Sequence, residues 1–261
     1  MTDSLAARPP APADADGSAA RRWLRRWHPG PSPRVSLVAL AHAGGSATAW
    51  HPLSQALAPD VETLSVQYPG RLDRIGERSV ADIPALADHV VAALADVTGP
   101  LALIGHSMGS TVAFEAARRL EAAGRPPVAL IVSARTAPSA GPFRHLERDD
   151  EALIEELRVL GGSEVLLENR ELLRLALPPL RSDFAALAAY RYEPGPPLAC
   201  PVTALVGDSD PRVGPGEMRD WADHTDAGFA LHVLPGGHFY LQDQLDAVVR
   251  LVRESLAAHL D

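Results

Sequence analysis

The chain has 261 residues, a net charge of −9, 46% hydrophobic residues and 22% charged residues. That length can bury one full α/β core, and the composition is that of a globular protein. The acidic balance argues against nucleic acid, whose phosphates demand a basic surface. All 24 basic residues are Arg, which with the abundance of Ala and Pro reads as coding bias. One cysteine, Cys200, excludes an internal disulfide framework and a thiolate metal site. It reads as a small buried residue before Pro201. No apolar run approaches the ~18 residues of a membrane span. Arg21-Arg22 is followed by the helix-breaking His28-Pro-Gly-Pro-Ser-Pro33 and not by the apolar core of an export signal. A cytoplasmic location is the default.

Residues 1–20 carry almost no large apolar side chains and are expected to be disordered. The rest, 21–261, reads as a single domain. Residues 21–27 mix two tryptophans with four arginines. They suit an edge strand or turn that packs its tryptophans on the body, or else a basic docking patch. A first strand, 35–41, ends in His42-Ala-Gly-Gly-Ser46. A helix over 48–57 and a strand over 61–67 follow, then the loop Tyr68-Pro-Gly-Arg-Leu-Asp-Arg74. Its charges, Arg71, Asp73 and Arg74, are expected in solvent, as a loop ion pair or at a site entrance. An amphipathic helix over 83–95 leads to an apolar strand at 101–104, and helical spacing resumes from Thr111. After a strand over 128–133 the pattern changes. From 138 to 197 there are only leucine-rich helical patches, at 151–160, 164–177 and 180–189, punctuated by Gly161-Gly162 and Pro178-Pro179. Such an insertion between strands reads as a lid. Strands at 202–206 and 229–234 and a last helix over 242–259 complete an α/β pattern.

Between the strand at 101–104 and its helix sits Gly105-His-Ser-Met-Gly109, a G-x-S-x-G sequence. A nucleophile elbow is a sharp strand-to-helix turn, crowded enough to require both glycines and strained enough to lift the Ser107 hydroxyl out of the sheet. A serine hydroxyl needs a base to take its proton, and the base needs a carboxylate to orient it. His238 follows a strand and a Gly-Gly turn. It is the one among ten histidines that does so; His42 and His106 adjoin the site, but in turns whose backbone is the functional part. Asp210 has the expected spacing after the strand at 202–206, and Asp208 is the second candidate, with a turn-forming role otherwise. The order Ser107, Asp210, His238 is that of an α/β-hydrolase. Backbone N–H groups of Ala43 and Met108 are the candidate oxyanion donors. No paired metal-ligand spacing, P-loop or G-x-G-x-x-G is present, so no metal and no cofactor are expected.

His42-Ala-Gly-Gly-Ser46, Tyr68-Pro-Gly-Arg71 with Arg74, the Ser107 elbow, Gly207-Asp-Ser-Asp210 and Gly237-His-Phe239 together resemble the type II thioesterases, the stand-alone editing enzymes of polyketide synthases and nonribosomal peptide synthetases. The likeness runs from about Trp23 to the C-terminus. Ala41 departs from the proline that the family often carries there. The resemblance implies an α/β-hydrolase fold with a helical lid. It also implies a stalled acyl or aminoacyl thioester as substrate, borne on the 4′-phosphopantetheine arm of an acyl or peptidyl carrier protein. A monomer is the default expectation for the chain itself. For an acidic carrier, a local basic patch at 21–26 or at Arg71 and Arg74 is expected.

Overall fold

The computed structural model describes residues 18–141, 149–162 and 164–260. Of the stretch expected to be disordered, residues 1–17 lie outside the described residues, whereas Ser18 already opens a helix, α1 (Ser18–Trp23). It passes directly into β1 (Leu24–Arg26), which pairs antiparallel with β3 at one sheet edge. Trp23 is buried, stacked on His89 at 4.9 Å and capped by the Arg74 guanidinium at 4.6 Å. An apolar anchor of that size explains why ordering reaches back into a polar terminus.

Next come β2 (Val35–Leu40), α2 (His51–Leu57), β3 (Val61–Val66), α3 (Ile83–Ala93), β4 (Leu101–His106), α4 (Met108–Ala122) and β5 (Ala129–Ser133). An insertion of α5 (Asp150–Val159), α6 (Glu164–Glu168) and α7 (Arg170–Ala189) follows. The sheet then resumes with β6 (Val202–Gly207), the short α8 (Pro215–Met218), β7 (Phe229–Leu234) and α9 (Leu245–Ser255). The seven strands lie in the order β1-β3-β2-β4-β5-β6-β7, and all but β1 run parallel. Every residue of β2 through β6 is buried. That is why β2, β4, β5 and β6 read as nearly continuous apolar runs and not as alternation, since helices cover both faces of a parallel sheet; β3 buries Glu62, Thr63 and Ser65 as well. On one side α1, α3 and α4 pack together, and α2 packs on α9. Because all the central strands point the same way, their C-terminal ends share one rim, where the loops after β2, β4, β6 and β7 meet.

Three expectations need correction. Residues 164–177 and 180–189 are not two helices broken at the prolines. Asn169 caps the start of α7 through its side chain, and α7 runs unbroken through Pro178 and Pro179. Two interior prolines cost about 3 kcal/mol each. The burial of Leu177, Leu180, Phe184 and Leu187 along one stripe outweighs that cost. The elbow helix begins at Met108, three residues earlier than its apolar spacing indicates. Lastly, Arg71 and Arg74 are not solvated but only 6% exposed. Arg74 pairs with Glu77 at 2.6 Å, and Asp73 pairs with Arg25. Arg71 and Arg74 therefore form no surface patch. In the 21–26 segment Arg22, Arg25 and Arg26 each face an acid, namely Glu77, Asp73 and Glu62.

Candidate active site

Ser107 is the single residue between β4 and α4, with φ 53° and ψ −119°. A left-handed serine is strained, and its surroundings hold it there. Its N–H donates to Ser133 O at 2.8 Å, and its carbonyl accepts from Ser110 N at 2.9 Å. A Cβ on Gly105 would lie 2.3 Å from the Gly109 carbonyl, and one on Gly109 would lie 2.1 Å from Leu40 O. Both glycines are therefore required by contact with backbone that cannot yield. Met108, the first residue of α4, carries one of the orphan N–H groups of a helix start, directed at the space before the helix.

Asp210 and His238 come from the loops after β6 and β7. His238 Nδ1 and Asp210 Oδ2 are 2.8 Å apart, with side chains 4% and 0% exposed. Asp210 Oδ1 also accepts from Arg212 N at 2.9 Å and Val213 N at 3.2 Å, which fixes the carboxylate in its loop. Asp208 does not reach His238. Its Oδ1 accepts from Gly236 N at 3.1 Å and from Ser209 Oγ at 2.8 Å, and these bonds hold its carboxyl below the usual range. Asp208 thus stitches the β6 turn to the β7 turn and is the turn-former.

Ala43, Ser107, His238 and Phe239 line one narrow cleft with Leu157 and Phe184 of the insertion. Among the described residues Ser107 Oγ and His238 share this cleft without a hydrogen bond between them. A neighbouring cavity of about 330 Å³ also meets His42, Ala43 and Phe239; Leu157, Leu166, Leu167 and Leu180 wall it on one side, and Gln242 adds a polar group. His106, read from sequence as part of the turn, is the last residue of β4 and is 3% exposed. Its Nδ1 lies 2.9 Å from Ser133 Oγ, which in turn meets Tyr240 OH at 2.7 Å. Burial keeps His106 neutral, and burial with the nearby His238 lowers the His42 pKa to about 4.

Two features of the site escape the sequence patterns. Arg71 and Asp183 form a buried bidentate pair at 2.8 and 2.9 Å, joining the loop after β3 to α7. Arg212, beside Asp210, pairs with Glu156 of α5 at 2.6 and 2.9 Å. The only sequence signal for Asp183 is a carboxylate standing inside the apolar stripe of Leu180, Phe184 and Leu187. Arg135 also lines the cleft, and burial draws its pKa down to about 10.

The thioesterase domain family matches residues 35–256. The chain belongs to the thioesterase family. Thioesterase PikA5 of Streptomyces venezuelae is 47% identical over 239 residues, which span 90% of this chain and 85% of that protein. The type II thioesterase BorB from the borrelidin biosynthetic cluster is 48% identical in structure-based alignment, with a TM-score of 0.82 over 92% of this chain and 98% of BorB. YbtT, a type II thioesterase from the yersiniabactin nonribosomal peptide and polyketide pathway, is 33% identical, with a TM-score of 0.83 over 92% of this chain and 100% of its own. This thioesterase is thus a relative of type II enzymes from polyketide and nonribosomal peptide pathways, and its fold is theirs. No helix among its described residues is long and apolar enough to cross a membrane.

Proposed function

We propose that this thioesterase hydrolyses stalled acyl groups from the phosphopantetheine arm of acyl or peptidyl carrier proteins, with Ser107 as nucleophile, His238 as base and Asp210 as orienting acid. The observation that carries the reading is the buried 2.8 Å contact between His238 Nδ1 and Asp210 Oδ2, with Ser107 on the elbow of the same cleft. Asp210 holds Nδ1 protonated, which leaves Nε2 free to take the serine proton.

Ser107 Oγ attacks the thioester carbonyl as His238 accepts its proton. The negative charge on the carbonyl oxygen is met by the Ala43 and Met108 amides, because donors fixed before the charge develops cost no reorganisation. The C–S bond breaks, the imidazolium protonates the departing pantetheine sulfur, and an acyl-serine remains. A water molecule then gives a proton to His238 and adds to the acyl carbonyl. Collapse releases the acid and returns the proton to Ser107. No cofactor of its own enters these steps. The helices α5 to α7 act as a lid, and the cavity receives the acyl chain against Leu157, Leu166, Leu167 and Leu180.

The test is to load a carrier protein with acetyl or propionyl groups and follow its intact mass. Loss of the acyl mass with the wild type and not with Ser107→Ala is the expected result. If the wild type leaves loaded carrier intact while cleaving small esters, the carrier assignment is wrong. If Ser107→Ala keeps full activity, the nucleophile assignment is wrong.

A further inference from the structure

The loop that carries Ala43 is soft by composition, with Gly44 at φ 75° and Gly45 next to it. Ala43 itself has no side chain that could anchor its amide. Three consecutive contacts do the anchoring. Gly45 N donates to His42 O at 2.9 Å, Gly44 N donates to Asp183 Oδ2 at 2.8 Å, and Arg71 Nη1 donates to Gly45 O at 2.9 Å. In a trans peptide the C=O and N–H point in opposite directions. The bond on His42 O therefore turns the Ala43 N–H outward from the turn. The bond on Gly44 N turns the Ala43 carbonyl away from α7.

The middle anchor comes from far along the chain. Asp183 is 1% exposed and engages Arg71 with both oxygens while also accepting the Gly44 amide. Arg71 reaches Pro69 O as well, through Nε at 3.4 Å. Helix α7 lies directly on the loop, since a Cβ on Gly44 would meet Leu180 Cδ1 at 2.8 Å. A buried ion pair is a poor way to gain stability, because an apolar pair of similar volume usually does as well or better. This one does something that an apolar pair cannot: it offers a fixed acceptor to the peptide next to the oxyanion donor.

We propose that Asp183 and Arg71 are positioning residues that set the Ala43 amide, so that the oxyanion hole is complete only while α7 is seated on the loop. The inference rests on the proposed role of Ala43 as an oxyanion donor. It makes the inserted helices part of the catalytic apparatus and not only a cover. An acyl-carrier complex that displaces α7 would release the Gly44 amide and disorder the hole, and chemistry would await its return.

The test uses a short acyl N-acetylcysteamine thioester and measures kcat and KM separately, on protein whose folded state at assay temperature is verified by circular dichroism. Asp183→Asn keeps the size of the side chain but sets an amide against Arg71. It is expected to lower kcat by roughly 100-fold, the scale of losing one oxyanion donor, with KM changed less than about threefold. Affinity for an alkyl boronic acid, which forms a tetrahedral adduct on the serine, should fall in parallel. The double variant Arg71→Met with Asp183→Leu restores packing without an acceptor for Gly44. It should melt no lower than Asp183→Asn and yet keep the low kcat. Arg181→Ala, which removes an exposed α7–α5 pair with Asp150, should retain wild-type kcat.

Wild-type kcat in Asp183→Asn, or its recovery in the double variant, would show a purely structural pair and overturn the proposal. Loss of kcat in Arg181→Ala equal to that in Asp183→Asn would overturn it too, because any loosening of α7 would then suffice. Ser107→Ala is assayed alongside. If it retains activity, the underlying site assignment fails. If it is inactive while the Asp183 variants keep kcat, only the positioning role fails.

Discussion

Acidification from pH 7 to pH 5 should weaken this fold through His42, and by an amount that the structure sets. The His42 ring lies 4.9 Å from Phe239 and 5.8 Å from His106, between the loop after β2 and the His238 loop. Burial, then the charges of His238 and Arg71, lower its pKa from 6.5 to about 4. An unfolded histidine takes up a proton near pH 6.5. The folded state refuses that proton until pH 4, so its stability is complete above pH 6.5 and is lost progressively as the pH falls towards 4. The loss amounts to about 2 kcal/mol at pH 5 and about 3 kcal/mol once fully developed. Against a typical domain stability of roughly 5–15 kcal/mol, that is a large fraction. His106 acts in the same direction for the same reason. The assay is urea denaturation from pH 7.5 to 4.5, comparing the wild type with His42→Phe, which keeps the ring and removes the titration. The wild type should lose about 2 kcal/mol more than the variant between pH 7 and 5. NMR titration of the His42 ring should place its midpoint near the same low pH, and His238→Gln should raise it by removing a neighbouring charge. Parallel denaturation profiles, or a His42 midpoint near 6.5, would refute the reasoning.

Other outcomes follow from single contacts. Asp210→Asn should cut kcat by about 10⁴-fold through the wrong imidazole tautomer. Asp208→Asn, whose target is the Gly236 amide, should leave kcat within about tenfold of wild type and act mainly on the thermal midpoint. Gly109→Ala drives a Cβ to 2.1 Å from Leu40 O and should abolish soluble folded protein or lower its melting temperature sharply. Gly76→Ala, with nothing within 4 Å, should melt like the wild type. Cys200 is 2% exposed and burial pushes its thiol up to about 12. A maleimide should therefore ignore it at pH 8 and modify it only after denaturation, as mass spectrometry will report.

How much of this was written in the sequence depends on the range of the forces involved. The elbow is local: two glycines, a strand's worth of apolar residues and a helix's worth of amphipathic ones create its steric demand within about 20 residues. The loops carrying Asp210 and His238 are legible for the same reason, since each follows an apolar run and is marked by Gly, Pro and Asp. Arg71, Arg74 and Asp183 are not legible. A charge in a Gly-Pro loop or on a helix is solvated by default, and only a partner delivered by the rest of the chain makes its burial tolerable. Asp183 stands 112 residues from Arg71. Nothing local to either predicts that α7 will pass its prolines unbroken and lay one carboxylate on the Gly44 amide. Periodicity and turn sterics, which act between neighbours, determined the strands, the elbow and the order of the candidate site. Which buried charges meet, and thus how the inserted helices connect to the site, was decided by closure of the tertiary structure, because desolvation is settled only when every neighbour is in place.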